Sequence, residues 1–183
     1  LQTRWAEINY QVPAAEKETD FAKLSAQAAT MVRQDPAAEL LIWQGIILST
    51  YAGAKGGLGA LDLVKQAKGS LEQAIKVDPA ALDGSAYTSL GALYYQVPGW
   101  PVGFGDDEQA EVLLKKALTM NPDGIDPNYF YGDYLAREKR YSEARVVLEK
   151  ALVAPDRPGR EVADSGRRAE VKALLAKVQS ELD

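Results

Sequence analysis

Apolar residues recur along this chain at three- and four-residue spacing, and no stretch of useful length alternates with the period of two that a half-buried strand requires. Phe21, Leu24, Ala28, Met31 and Val32 keep one face, and Val171, Leu174, Leu175, Val178 and Leu182 keep another. Between such stretches stand Gln-Asp-Pro at 34–36, Val-Asp-Pro at 77–79 and Met-Asn-Pro at 120–122. Each stops one helix and starts the next, because proline disrupts a helix interior but fits its first turn. The pattern predicts helices near 14–34, 36–51, 60–77, 81–95, 107–120, 127–138, 142–153 and 163–182. Asp35-Pro36, Asp106-Asp107 and Asp126-Pro127 are expected to cap three of them.

Within this all-α pattern three segments align. Gly45, Ala67, Leu71, Ala74 and Pro79 correspond to Gly91, Ala110, Leu114, Ala117 and Pro122, and to Gly132, Ala144, Leu148, Ala151 and Pro155. A small residue where two helices cross lets their backbones approach, and leucine fills the space beside the crossing. From the glycine to the first alanine the third unit spans 12 residues (132 to 144), the second 19 (91 to 110) and the first 22 (45 to 67). Relative to the third unit, the first two carry insertions, at 52–61 and about 96–105. Both are expected to be loops.

The aligned positions resemble the tetratricopeptide repeat. The resemblance implies one domain over 1–183, a helical superhelix with repeats near 14–36, 37–79, 80–122 and 123–156 and a capping helix over 160–182. A narrower resemblance lies in 41–61 (Leu-Ile-Trp-Gln-Gly-Ile-Ile-Leu-Ser-Thr-Tyr-Ala-Gly-Ala-Lys-Gly-Gly-Leu-Gly-Ala-Leu) and 95–106 (Tyr-Gln-Val-Pro-Gly-Trp-Pro-Val-Gly-Phe-Gly-Asp). These segments are similar to the T-component of TRAP transporters. That resemblance implies an exported or periplasmic, non-catalytic helper of solute uptake, with a substrate-binding protein as partner and a small acidic or hydrophobic ligand.

Composition narrows the chemistry. The chain has 21 basic and 26 acidic residues, a net charge of −5, and no basic run that could follow a phosphate backbone, so nucleic acid is not an expected partner. No apolar stretch is long enough to span a bilayer. Cysteine and histidine are absent, which removes disulfides, thiolate catalysis, the usual zinc ligands and the commonest general acid–base group. No enzymatic activity, cofactor or metal site is expected. The chain opens at Leu1, with methionine only at 31 and 120, so loss of a preceding segment by processing or truncation is expected.

Several constellations remain. The glycines of 53–59 lack the Gly-Lys-Ser/Thr ending and preceding strand of a phosphate loop. They fit a tight turn, or a loop offering backbone N–H groups and Lys55 to an anion. Trp100 sits between Pro98-Gly99 and Pro101, where so large a ring has to cover something or be covered. Adjacent repeats stack in register, so the two insertions are expected to emerge side by side and close over a cleft, with Lys55, Tyr95, Trp100, Phe104 and Tyr131 as candidate ligand-binding residues. Arg157, Arg160, Arg167 and Arg168 fit either a solvated face or a carboxylate site. Asp106, Asp107 and Glu108, and separately Asp123, Asp126 and Asp133, do not match a calcium loop. The competing function is a protein–protein adaptor that holds a peptide or helix in the concave groove of the stack.

Overall fold

The computed structural model describes all 183 residues. Its helices are α1 (Gln2–Gln11), α2 (Ala14–Gln34), α3 (Ala38–Lys55), α4 (Gly57–Val77), α5 (Ala81–Gln96), α6 (Asp107–Met120), α7 (Ile125–Arg137), α8 (Tyr141–Leu152) and α9 (Glu161–Leu182). Apart from an isolated bridge between Gly99 and Gly105 there is no β structure. No helix is long and apolar enough to cross a membrane.

Helices pair as α1–α2, α3–α4, α5–α6 and α7–α8, and the aligned glycines mark three of the crossings. A Cβ on Gly45 would stand 2.5 Å from Leu71 Cγ, one on Gly91 2.8 Å from Leu114 Cγ, and one on Gly132 2.6 Å from Leu148 Cγ. Each glycine therefore meets the leucine of its own unit, and the fold is a tetratricopeptide-like helical repeat.

The odd-numbered helices touch in succession, α1 to α3 to α5 to α7 to α9, and α9 returns to touch α1. The even-numbered helices lie outside this circuit and touch only the helices adjacent in sequence. The result is a closed inner ring of five helices. Two contacts of α1 complete it. Trp5 Nε1 donates to Thr50 Oγ1 of α3 at 2.9 Å. The Tyr10 ring lies directly over Gly166 of α9, where a Cβ would collide with it, and Tyr10 Oη donates to Glu170 at 3.2 Å. The last helix, expected to cap a free edge, thus joins the two ends of the stack.

Helix α1 is absent from the prediction. Its apolar positions Leu1, Trp5, Ile8 and Val12 do keep helical spacing, but the segment is short, polar and unmarked by a cap. The 52–61 insertion is not a loop. Residues 52–55 extend α3, residues 57–61 begin α4, and the joint is Gly56 and Gly57, at φ 64° and 62°. Ala52, Ala54, Leu58, Ala60 and Leu61 favour helix, and a left-handed glycine turns the chain at little steric cost. The second insertion is a true loop, closed by Gly105 N–H to the Pro98 carbonyl at 2.9 Å and Asp106 N–H to the Tyr94 carbonyl at 2.8 Å. It contains a cis peptide between Trp100 and Pro101. Phe104 packs edge-on against Tyr94, with centroids 5.5 Å apart, and lies 5.8 Å from Lys68 Nζ of α4. The loop therefore lies on the middle of α4, away from the α3–α4 joint, and the two insertions do not emerge side by side.

Of the three expected caps only Asp106 acts as one, accepting from Gln109 N–H at 3.0 Å. Asp35 closes the end of α2, and Ala37 precedes α3. Asp126 lies inside the first turn of α7, its carboxylate drawn away by two arginines.

Candidate functional site

The inner ring encloses a cleft of about 630 Å³. Its lining comes from every helix of the ring, from Lys17 and Phe21 of α2, and from Asn121, Arg157 and Arg160 in the connections before α7 and α9. The α5 wall explains part of its character. Ser85, Thr88, Ser89, Ala92 and Gln96 fall at i, i+3, i+4, i+7 and i+11, a stripe of small and polar residues on a helix that is otherwise largely buried. The chain enters this helix through Leu82, Asp83 and Gly84, three consecutive left-handed residues at φ 48°, 54° and 76°. Leu82 and Asp83 reach the rim of the cleft. On α3, Thr50 already accepts from Trp5, and both Ser49 and Thr50 donate to the carbonyls one turn back, at 2.7 and 2.8 Å. Trp5 and Trp43 add an aromatic wall, with centroids 5.9 Å apart.

Charge is concentrated where α7, α9 and the loop before α9 meet. Asp126 accepts from Arg157 Nη1 at 2.6 Å and from Arg167 Nε at 2.8 Å. Arg157 also holds Asp164, through Nε at 2.8 Å and through its backbone N–H at 2.8 Å. Arg167 Nη1 donates to Glu170 at 2.6 Å, and its guanidinium lies 4.5 Å from the Tyr129 centroid and 4.7 Å from that of Phe130. Burial on its own would raise the Asp126 pKa, but the two guanidinium charges outweigh it and hold the carboxyl at about 2. Burial lowers, and the carboxylates more than restore, the pKa values of Arg157 and Arg167, which end above the ordinary arginine value.

Arg160 differs from both. It forms no ion pair, and its Nε is buried without a hydrogen-bond partner. The guanidinium carbon lies 5.4 Å from the centroid of the Trp43 ring. Burial first, and then repulsion by Arg157 and Arg167, lower its pKa, although Asp126 and Asp164 oppose the shift. The four cations of the lining, Lys17, Arg157, Arg160 and Arg167, are matched in number by Asp83, Asp126 and Glu170 and by Asp164 behind Arg157. Of the three arginines only Arg160 has no carboxylate partner.

None of the five candidate ligand-binding residues lines this cleft. Lys55 is exposed and paired with Glu18 at 3.1 Å. Tyr95 is buried between repeats, its hydroxyl donating to Asp133 at 2.8 Å. Tyr131 is likewise buried, with its hydroxyl on Glu111 at 3.1 Å. Phe104 pins its own loop, and Trp100 at the loop tip is 90% exposed. Tyr95 and Tyr131 meet through Tyr134, on which both rings pack, and the other three lie apart from them. The residues that sequence reasoning left aside were the small hydroxyls, Trp5 and Trp43. Of the arginine group, Arg157, Arg160 and Arg167 reach the cleft, whereas Arg168 turns outward to Asp156 at 2.8 Å. A detectable signal was the hydroxyl stripe of α5, since a globular core gives no reason to repeat serine and threonine at helical spacing.

No family model matches the chain, and no curated protein matches it. Among solved structures it is similar to one described as the crystal structure of MamA, at 17% identity and a TM-score of 0.47, over 94% of this chain and 95% of that one. At that distance function has to be read from the cleft itself.

Proposed function

We propose that the protein is a non-catalytic helical-repeat scaffold whose inner cleft holds a small solute, and that it serves solute uptake outside the cytoplasm beside a substrate-binding protein. The closed inner ring is the observation that carries the solute reading. Peptide-binding repeat stacks use an open concave groove, whereas here α9 meets α1 and the groove becomes a cleft of about 630 Å³. That volume falls within the roughly 300 to 1,000 Å³ usual for small-molecule sites. The strongest acid–base groups in the cleft are committed to ion pairs, which supports holding a ligand over reacting with it. Export and the link to uptake rest on the resemblance of segments 41–61 and 95–106 described above.

A protein–protein adaptor is the second reading, and the repeat architecture by itself supports a protein partner. One observation favours it. Trp100 stands 90% exposed at the tip of a loop tied down at both ends, as a ring waiting for a partner would. Native purification followed by denaturation and mass spectrometry separates the two. A stoichiometric released solute, lost from a Gly166→Leu variant that opens the ring, is expected. A protein that releases none, and whose chemical crosslinks to a partner centre on Trp100, would replace the solute reading with the adaptor.

A further inference from the structure

The one unpaired arginine of the cleft defines the ligand more closely. We infer that Arg160, backed by the Trp43 ring, anchors the carboxylate of a monoanionic ligand whose body is apolar with a few hydroxyl or amide groups. This rests on the reading of the cleft as a solute site.

Three observations converge. Arg157 and Arg167 have their carboxylates on Asp126, Asp164 and Glu170, so neither guanidinium is free to be redirected without breaking the α7–α9 junction. Arg160 has no such partner, yet its Nε is shielded from solvent. A buried donor with no acceptor destabilises the empty protein, and a bound anion that reaches the guanidinium removes that penalty. The guanidinium carbon stands over the Trp43 ring at 5.4 Å from its centroid, so an aromatic surface backs the group while its N–H donors remain unused. A carboxylate fits such donors with two parallel hydrogen bonds.

The anion's charge follows from the pairing. With a single guanidinium unpaired and Asp83, Asp126 and Glu170 on the walls, a phosphate dianion meets more repulsion than that one guanidinium offsets. A monocarboxylate balances it. Ile46, Ala92 and Leu93 supply an apolar wall beside the tryptophans, while Thr88, Ser89 and Gln96 can accept or donate along the α5 stripe. The same carboxylate chemistry could arrive on a free solute or on a peptide C-terminus.

The test uses the Trp100→Phe protein, so that fluorescence reports only Trp5 and Trp43 in the cleft. Straight-chain carboxylates from acetate to decanoate are titrated against the matching alcohols, and a short peptide with a free C-terminus against its amidated form. The best carboxylate should bind roughly tenfold to a hundredfold more tightly than its alcohol, the ratio expected for a charge-assisted pair. Arg160→Gln should abolish that preference with an unchanged or raised thermal midpoint, and Arg160→Lys should keep only part of it. A preference for the free-acid peptide over the fatty acids assigns the carboxylate to a chain terminus. Equal binding of acid and alcohol overturns the Arg160 assignment while leaving the cleft a solute site. A carboxylate preference retained in Arg160→Gln, with a lowered midpoint, makes Arg160 a structural pin and overturns it as well. Failure of every probe overturns the solute reading along with the inference.

Discussion

Two glycine-to-alanine substitutions in this protein should act with opposite signs. In Gly132→Ala the added carbon would lie 2.6 Å from both Cγ and Cδ2 of Leu148 and 3.3 Å from Cγ2 of Val147. Leu148 is fully buried in the cluster around Leu135, Ala144 and Val171, so it has no open space into which to rotate. Overpacking of this kind costs about 1 to 3 kcal/mol, and alanine returns somewhat under about 1 kcal/mol by its better helix propensity. The net loss should be about 1 to 2 kcal/mol, or roughly 2 to 8 °C in thermal midpoint for a domain of this size.

Gly69→Ala adds the same carbon on α4, where nothing lies within 4 Å. Only the propensity difference remains, a gain of about 0.5 to 1 kcal/mol. Urea unfolding followed by circular dichroism, with a common slope for the variants, reads both changes. Two variants that shift in the same direction would show that Gly132 is not at a tight crossing, and the argument would fail for Gly45 and Gly91 with it.

Other outcomes follow from single contacts. The Asp126 carboxyl is held at about 2, below its ordinary 3.8, so it stabilises the folded state at neutral pH and that contribution fades as pH falls from about 4 towards 2. Asp126→Asn should therefore lose at least about 2 kcal/mol at pH 7 and progressively less against wild type on acidification, which paired urea titrations at pH 7 and at about pH 3 measure. Gly166→Ala should lower stability by about 1 to 3 kcal/mol by displacing Tyr10 from α9, with a simultaneous rise in hydrogen exchange of α1. Lys139 occupies φ 59° in the turn between α7 and α8, so Lys139→Gly should gain up to about 1 kcal/mol in the same urea assay. Trp100→Ala should change stability by less than about 0.5 kcal/mol, because the ring makes little contact with the rest of the protein.

The repeat was legible because it is written in steric necessities. A glycine against a leucine across a helix pair, repeated three times with proline at the unit's end, has few explanations other than stacked helix hairpins. The Gly-rich insertion misled for a related reason. Its glycines suggested a loop, but two consecutive residues at positive φ, Gly56 and Gly57, were enough to turn the chain, and alanine and leucine on either side continued the helices up to them. Candidate site residues were chosen for size and for position near an insertion. In Tyr95 and Tyr131 the large ring fills the seam between repeats and its hydroxyl satisfies an acid on a neighbouring helix, which is a packing role.

The cleft itself has no local signature, because each helix of the ring contributes only a few residues to it and those residues stand far apart along the chain. Arg160 shows why. Its neighbourhood in sequence contains four arginines and several acids, and nothing in their order says which charge remains unpaired. That depends on Asp126, more than thirty positions away, accepting from two arginines at once, and on Asp164 turning back to Arg157. Only when those acids are assigned does one arginine stand without a carboxylate, the one whose guanidinium lies over Trp43. The same ion pairs that hold α9 against α7, and so help to close the ring, also leave Arg160 without a carboxylate partner. Closure and recognition share the same pairing, so variants that disturb Asp126 should loosen the ring and free competing arginines for the ligand, whereas a change at Arg160 alone should alter recognition without opening the ring.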